Sequence, residues 1–222
     1  MCGRYDLHEP APRIAEVLGA QLLLDGWEAH YNIPPGQTIP IARIDGSDSR
    51  RERVLAPAWW GFRPAWADAD APAPINARAE KAASSPYFRE AFAHHRCLVP
   101  ANGWYEWQQT GSGKQPHYFT HVEGELLMFA GLWTPGEGGS RCAILTEPAR
   151  GLVKPIHTRM PVVLEPLSWA AWLSPELTER DTIREATSHL APETLTQWPV
   201  SPRVNRPDAD DAGLLEPLNG PG

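Results

Sequence analysis

Apolar positions along the chain follow two periods, separated by dense proline and glycine. In APRIAEVLGA, Ile14, Val17 and Leu18 fall on one helical face and predict a helix. YNIPPGQTIP reads as a loop leading into IPIARI, a segment that alternates only imperfectly. ERVLAPAWWGF predicts a strand ending at Gly61, followed by a long loop from Arg63 to Pro74. Ser85 before Pro86 has the form of an N-cap with proline in the first turn, opening a short helix through YFREAF. Six strand candidates follow: RCLVP, GWYEWQ, HYFTHV, ELLMFAGLW, RCAILTE and MPVVL. EPLSWAAWL and RDTIREATSHL predict late helices, the second with Ile183, Ala186 and Leu190 on one face. The expected fold class is α+β, with a central, mostly antiparallel, barrel-like sheet flanked by short helices.

Composition fits one domain. The chain has 222 residues, 42% of them hydrophobic and 21% charged, within the range of single β-rich domains. The expected domain spans residues 1–205, and the acidic, Gly/Pro-ended stretch 206–222 reads as a disordered tail. No window approaches the ~18 apolar residues of a membrane span, and no basic segment followed by an apolar run opens the chain. The expectation is a cytoplasmic monomer with no membrane partner. Cys2, Cys97 and Cys142 cannot pair completely and show no CxxC spacing, so reduced thiols are expected. The net charge of -7 excludes a protein that holds duplex DNA by a broad basic surface. Charge is nearly balanced over residues 1–100, the acidic excess lying beyond; any nucleic-acid contact should be local and built from a few arginines.

Candidate chemistry begins at the second residue. With Met1 in place, Cys2 is an ordinary thiol near a chain end. With Met1 removed, its α-amine, of pKa about 8, lies beside a thiol of about 8.5, a 1,2-aminothiol suited to nucleophilic chemistry. Four further segments have a chemical and a structural reading each. Asn76 in INARAEKA caps a helix or serves a site. Glu106 in NGWYEWQ is a solvent-facing strand residue, or a desolvated proton-transfer group sharing a face with Trp104 and Gln108. His157 stands with Arg159 just before an apolar strand, as a structural or a catalytic residue. Trp59, Trp60 and Trp66 pack a core or stack on bases. His94, His95 and Cys97 in HHRC match no familiar metal-site spacing, so neither metal nor cofactor is expected.

MCGRY, YNIPPGQ, WWGFRPAW, INARAE, CLVPANGWYEW and HTRMPVVL stand in an order and spacing that resembles the SOS-response-associated peptidase (SRAP) family, with WPVSPRVN as the family's closing segment. Family members crosslink to abasic sites in single-stranded DNA. The resemblance implies that Cys2, freed of Met1, traps the ring-opened aldehyde as a thiazolidine during the DNA damage response. It implies that Asn76 holds the Cys2 region or the opened sugar, that Glu106 assists proton transfer, and that His157 contacts sugar or phosphate as a proton donor. It assigns Arg4, Arg78 and Arg159 to phosphates and Pro35 and Trp66 to apolar contacts with bases or a single-strand/duplex junction. Ala67 follows Trp66 where family members can carry a second aromatic residue, a departure from the pattern.

The aldehyde chemistry has a physical basis. At pH 7 roughly a tenth of an α-amine is neutral, against well under a hundredth of a lysine. Two other functions compete: an N-terminal-nucleophile amidohydrolase or peptidase, and a non-covalent sensor of single-stranded DNA in which Cys2 only packs.

Overall fold

The structure, a computed structural model, describes residues 2–46, 50–111, 113–136 and 138–218. In chain order the strands are β1 (Tyr5–Leu7), β2 (Gln21–Leu22), β3 (His30–Ile33), β4 (Thr38–Asp45), β5 (Glu52–Trp60), β6 (Asn76–Arg78), β7 (Arg96–Ala101), β8 (Gly103–Thr110), β9 (Gly113–His121), β10 (Leu127–Thr134), β11 (Arg141–Pro148), β12 (Arg159–Pro161) and β13 (Leu195–Pro199). The helices are α1 (Ala11–Leu18), α2 (Ala79–Ala82), α3 (Arg89–His94), α4 (Trp169–Leu173) and α5 (Arg180–Glu185). The fold is α+β, as the hydrophobic pattern predicts.

The strands form two mostly antiparallel sheets. One runs β13-β9-β8-β1-β3, the other β12-β11-β10-β7-β4-β5-β2. A parallel pairing of β11 with β5 closes β11-β10-β7-β4-β5 into a ring. Inside lie Tyr5, Trp60, Trp104, Phe119 and Phe129, all buried; Tyr5 meets Trp60 edge-on at 5.4 Å between centroids and Trp104 stacks on Phe119 at 4.9 Å. Close approach of β8 to β9 requires glycine at 103, where a Cβ would fall 2.4 Å from both Phe119 O and the Tyr118 ring. α1 buries Ile14 and Leu18 against this core and ends at Gly19, whose φ of 56° is left-handed.

Three expectations shift. The helix expected from Pro86 begins at Arg89, because Ser85 spends its capping interactions on a preceding turn: its Oγ accepts from Tyr87 N and its carbonyl from Phe88 N and Arg89 N. The helix expected over 180–190 stops at Glu185, and the following chain bonds elsewhere: Ser188 N donates to Ser168 Oγ and Leu190 N to Val163 O. Tertiary partners there outweigh helical periodicity. Residues 206–218 do not hang loose as a tail. Leu214 is fully buried with Tyr105, Tyr118, Val200 and Val204, Trp198 Nε1 donates to Leu215 O, and Asp210 accepts from Tyr31 N and pairs with His30. Two leucines in an acidic stretch supply the apolar anchor that composition averages away. Residues 219–222 lie outside the described residues.

Candidate active site

β1 carries the N-terminal residues to the site. Tyr5 pairs with Trp104 and Tyr105 N donates to Arg4 O, so the antiparallel register runs Cys2 toward the Glu106 end of β8. On the other side β6 lies parallel to β11, Asn76 opposite Ile144 and Arg78 opposite Thr146. Asn76 Nδ2 donates to Cys2 O at 2.8 Å. This asparagine therefore reaches across to the N-terminal strand and does not cap the helix behind it; α2 has no side-chain cap bond.

Cys2 is fully buried. Burial pushes its thiol well above the ordinary range and the Glu106 carboxylate adds to the rise, so the thiol is neutral and Glu106 is within electrostatic reach. Glu106 is only 2% exposed, and burial raises its carboxyl from an ordinary 4.5 to about 7. His157 Nδ1 lies 3.8 Å from Glu106 Oε2. The same nitrogen stands 3.0 Å from both Arg159 N and Arg159 O. Nδ1 thus stands between a backbone donor and a backbone acceptor of one residue, which holds the ring in place, while burial lowers the His157 pKa.

Glu106 and His157 open onto a pocket of about 380 Å³ shared with Trp107, Lys114 and Asn205. Trp107 Nε1 donates to Asn205 Oδ1 at 2.7 Å, tying the closing segment of the chain to the pocket wall. Sequence reasoning passed over these three residues. Trp107 and Asn205 sit inside quoted motifs, and Lys114 becomes visible only through the β8–β9 hairpin.

The structure thus brings Cys2, Asn76, Glu106 and His157 together. The arginines divide. Arg78 is exposed. Arg4 is half-buried, Nη1 donating to Asn32 Oδ1 at 2.8 Å and Val204 O at 3.0 Å, so it is drawn toward the closing segment. Arg159 is committed to Glu80 and Thr146. Of the tryptophans, Trp60 is core, its Nε1 donating to Ile75 O at 2.9 Å, whereas Trp59 is 44% and Trp66 68% exposed. Trp66 stands edge-on to Tyr87 at 5.8 Å, and Pro35 is half-buried in the β3–β4 loop. In HHRC, Cys97 is buried in β7 and His95 meets Trp133 edge-on. Arg96 donates to the carbonyls of Phe92, Ala93, Trp172, Ser174 and Leu177, which gives that segment a structural role.

Known proteins resemble this chain in sequence and in fold. The abasic site processing protein YoqW of Bacillus subtilis is 33% identical over 226 residues, covering 97% of this chain and 99% of the relative. YedK of Escherichia coli, with the same description, is 34% identical over 194 residues, covering 85% of this chain and 84% of the relative. A solved protein from Bacteroides thetaiotaomicron superposes with a TM-score of 0.84 at 22% identity, covering 98% of this chain and all of that one, which shows the shared fold. The model of the SOS response associated peptidase family matches residues 1–207, and the chain belongs to that family.

Proposed function

We propose that this protein processes abasic sites in single-stranded DNA by forming a covalent bond between Cys2 and the ring-opened deoxyribose. Relatives at 33% and 34% identity carry the description abasic site processing protein. The observation that carries the reading is the placement of Cys2, held through its carbonyl by Asn76, within reach of a buried carboxyl of pKa about 7 that faces His157.

Removal of Met1 converts the Cys2 amide nitrogen into an α-amine. The neutral amine adds to the C1′ aldehyde, giving a carbinolamine that loses water to an imine. The Cys2 thiol then adds its sulfur to the imine carbon while nitrogen gains a proton, closing a five-membered thiazolidine; the sum is aminothiol plus aldehyde to thiazolidine plus water. Because burial keeps the thiol protonated, its proton needs an acceptor as the C–S bond forms. Glu106, about half ionised at neutral pH, has a pKa matched to taking and returning that proton. Serine at position 2 would close a less stable oxazolidine, and alanine would stop at the imine. His157 donates a proton to the sugar oxygen released on ring opening. Exposed Arg78 contacts a flanking phosphate, and exposed Trp66 stacks on a base.

The test mixes protein of mass-verified N-terminus with single-stranded DNA holding one abasic site, with Cys2→Ala and a Met1-retaining form alongside. A denaturation-resistant band from the processed wild type alone supports the proposal. An equal band from Cys2→Ala moves the covalent bond off the Cys2 thiol, and no crosslink from processed wild type refutes the covalent reading, leaving non-covalent sensing if single-stranded DNA is still bound.

A further inference from the structure

One carboxylate beside this site has no part in the chemistry above. Glu80 stands on α2, on the same short run of chain as Asn76. Both its oxygens accept from one guanidinium, Arg159 Nη1 to Oε1 at 2.5 Å and Nη2 to Oε2 at 3.0 Å. Nη2 also meets Thr146 O at 2.5 Å and Thr146 Oγ1 at 3.2 Å. Thr146 lies on β11, opposite Arg78 on β6 and Pro161 on β12. The Arg159 side chain therefore spans β11, joining the segment that holds Asn76 to the segment that holds His157. It is only 15% exposed, and a fork engaged in this way has few donors left for a phosphate.

We propose that Glu80 is a positioning residue that acts through Arg159 to hold the His157 ring opposite Glu106. This rests on the reading of the site given above. Arg159 supplies both backbone groups that flank His157 Nδ1, and it is the first residue of a three-residue strand. So short a strand end, held to its neighbour by Ala149 N donating to Thr158 O, gains its fixed position from the bidentate side-chain clasp. The charged groups facing His157 are Glu106 from β8, Lys114 from β9 and the N-terminal amine. Glu80 binds the guanidinium of the residue whose backbone flanks Nδ1, so a change at Glu80 reaches the ring through Arg159.

The experiment compares wild type, Glu80→Gln and Glu80→Asp by three readouts: NMR titration of His157, single-turnover crosslinking at saturating DNA, and affinity for DNA bearing a tetrahydrofuran abasic analogue that has no aldehyde. In Glu80→Gln the His157 titration moves up toward its ordinary 6.5 as the ring loosens into solvent. The crosslinking rate falls about tenfold, as a misplacement well under 1 Å would cause, and analogue affinity does not fall. Glu80→Asp, which keeps the charge, recovers part of both effects. An unchanged His157 titration overturns the proposal. So does tighter analogue binding with an unchanged rate, which would make Glu80 a competitor for a phosphate-binding Arg159. If wild type forms no crosslink while the His157 titration still shifts in Glu80→Gln, the crosslinking reading fails and the positioning role stands.

Discussion

Glu106→Gln should cost activity and add stability at the same time. The carboxyl is 2% exposed and burial holds its pKa near 7 against an ordinary 4.5, so the folded protein binds this proton more tightly than the unfolded chain. Such a group contributes most to stability below pH 4.5, and the contribution is lost as pH rises to about 7, beyond which the difference is constant. At ~1.4 kcal/mol for each pH unit between the two values, the ionised carboxylate costs the fold about 3 kcal/mol above neutrality. Glutamine has the same shape and never ionises. Denaturant unfolding at a series of pH values should show Glu106→Gln within error of wild type near pH 4 and about 3 kcal/mol more stable at pH 8. The crosslinking rate should fall by about 10² to 10⁴, the usual weight of a general acid–base group. In wild type the rate should climb through pH 7 as the carboxylate and the neutral α-amine form together, and Glu106→Gln should keep only the limb that the amine sets near pH 8. Equal stability of the two proteins at pH 8, or a wild-type rate indifferent to pH between 6 and 8, would refute the assignment of a raised pKa to Glu106.

Other perturbations separate the remaining roles. Asn76→Ala leaves the enclosed Cys2 carbonyl without its donor, which should lower stability by about 1–3 kcal/mol and slow crosslinking at saturating DNA; thermal melts and single-turnover rates check both. Arg78→Ala should weaken single-stranded DNA binding equally across sequences and reduce the salt slope by about 0.7, the value for one phosphate contact, read from binding titrations over a range of salt. Trp66→Ala, at a 68% exposed position, should leave the melting temperature unchanged while costing about 1–3 kcal/mol of DNA affinity through lost base stacking. Leu214→Ala should destabilise the fold by about 2–5 kcal/mol, because its side chain is fully enclosed; a loss within ±0.5 kcal/mol would mean that residues 206–218 do not pack.

The sequence is most legible where one local signal decides the outcome. β5 and β7 through β11 follow their apolar runs because each is buried on at least one face. Helix ends and the closing segment were less legible, since partners distant in sequence set them: Ser168 and Val163 take the chain that periodicity assigns to α5, and Tyr105 and Tyr118 enclose Leu214. The same holds at the site. The motifs point to Cys2, Asn76, Glu106 and His157 one by one, but the high pKa of Glu106 comes from an enclosure built by several strands. The turning of Arg4 toward Asn32 and Val204, and of Arg159 toward Glu80, depends on acceptors 28, 200 and 79 residues away. An arginine in a motif signals charge, and only the fold shows which arginine has spent it.

The most direct test of the covalent account is peptide mass spectrometry of the adduct formed without any reductant. After nuclease digestion and proteolysis, the account predicts a sugar-derived mass on the N-terminal peptide beginning at Cys2, with the amine and thiol both blocked and the adduct unchanged by borohydride, as a closed thiazolidine requires. A mass on a lysine peptide, or an adduct on Cys2 that survives only after borohydride reduction, would contradict it.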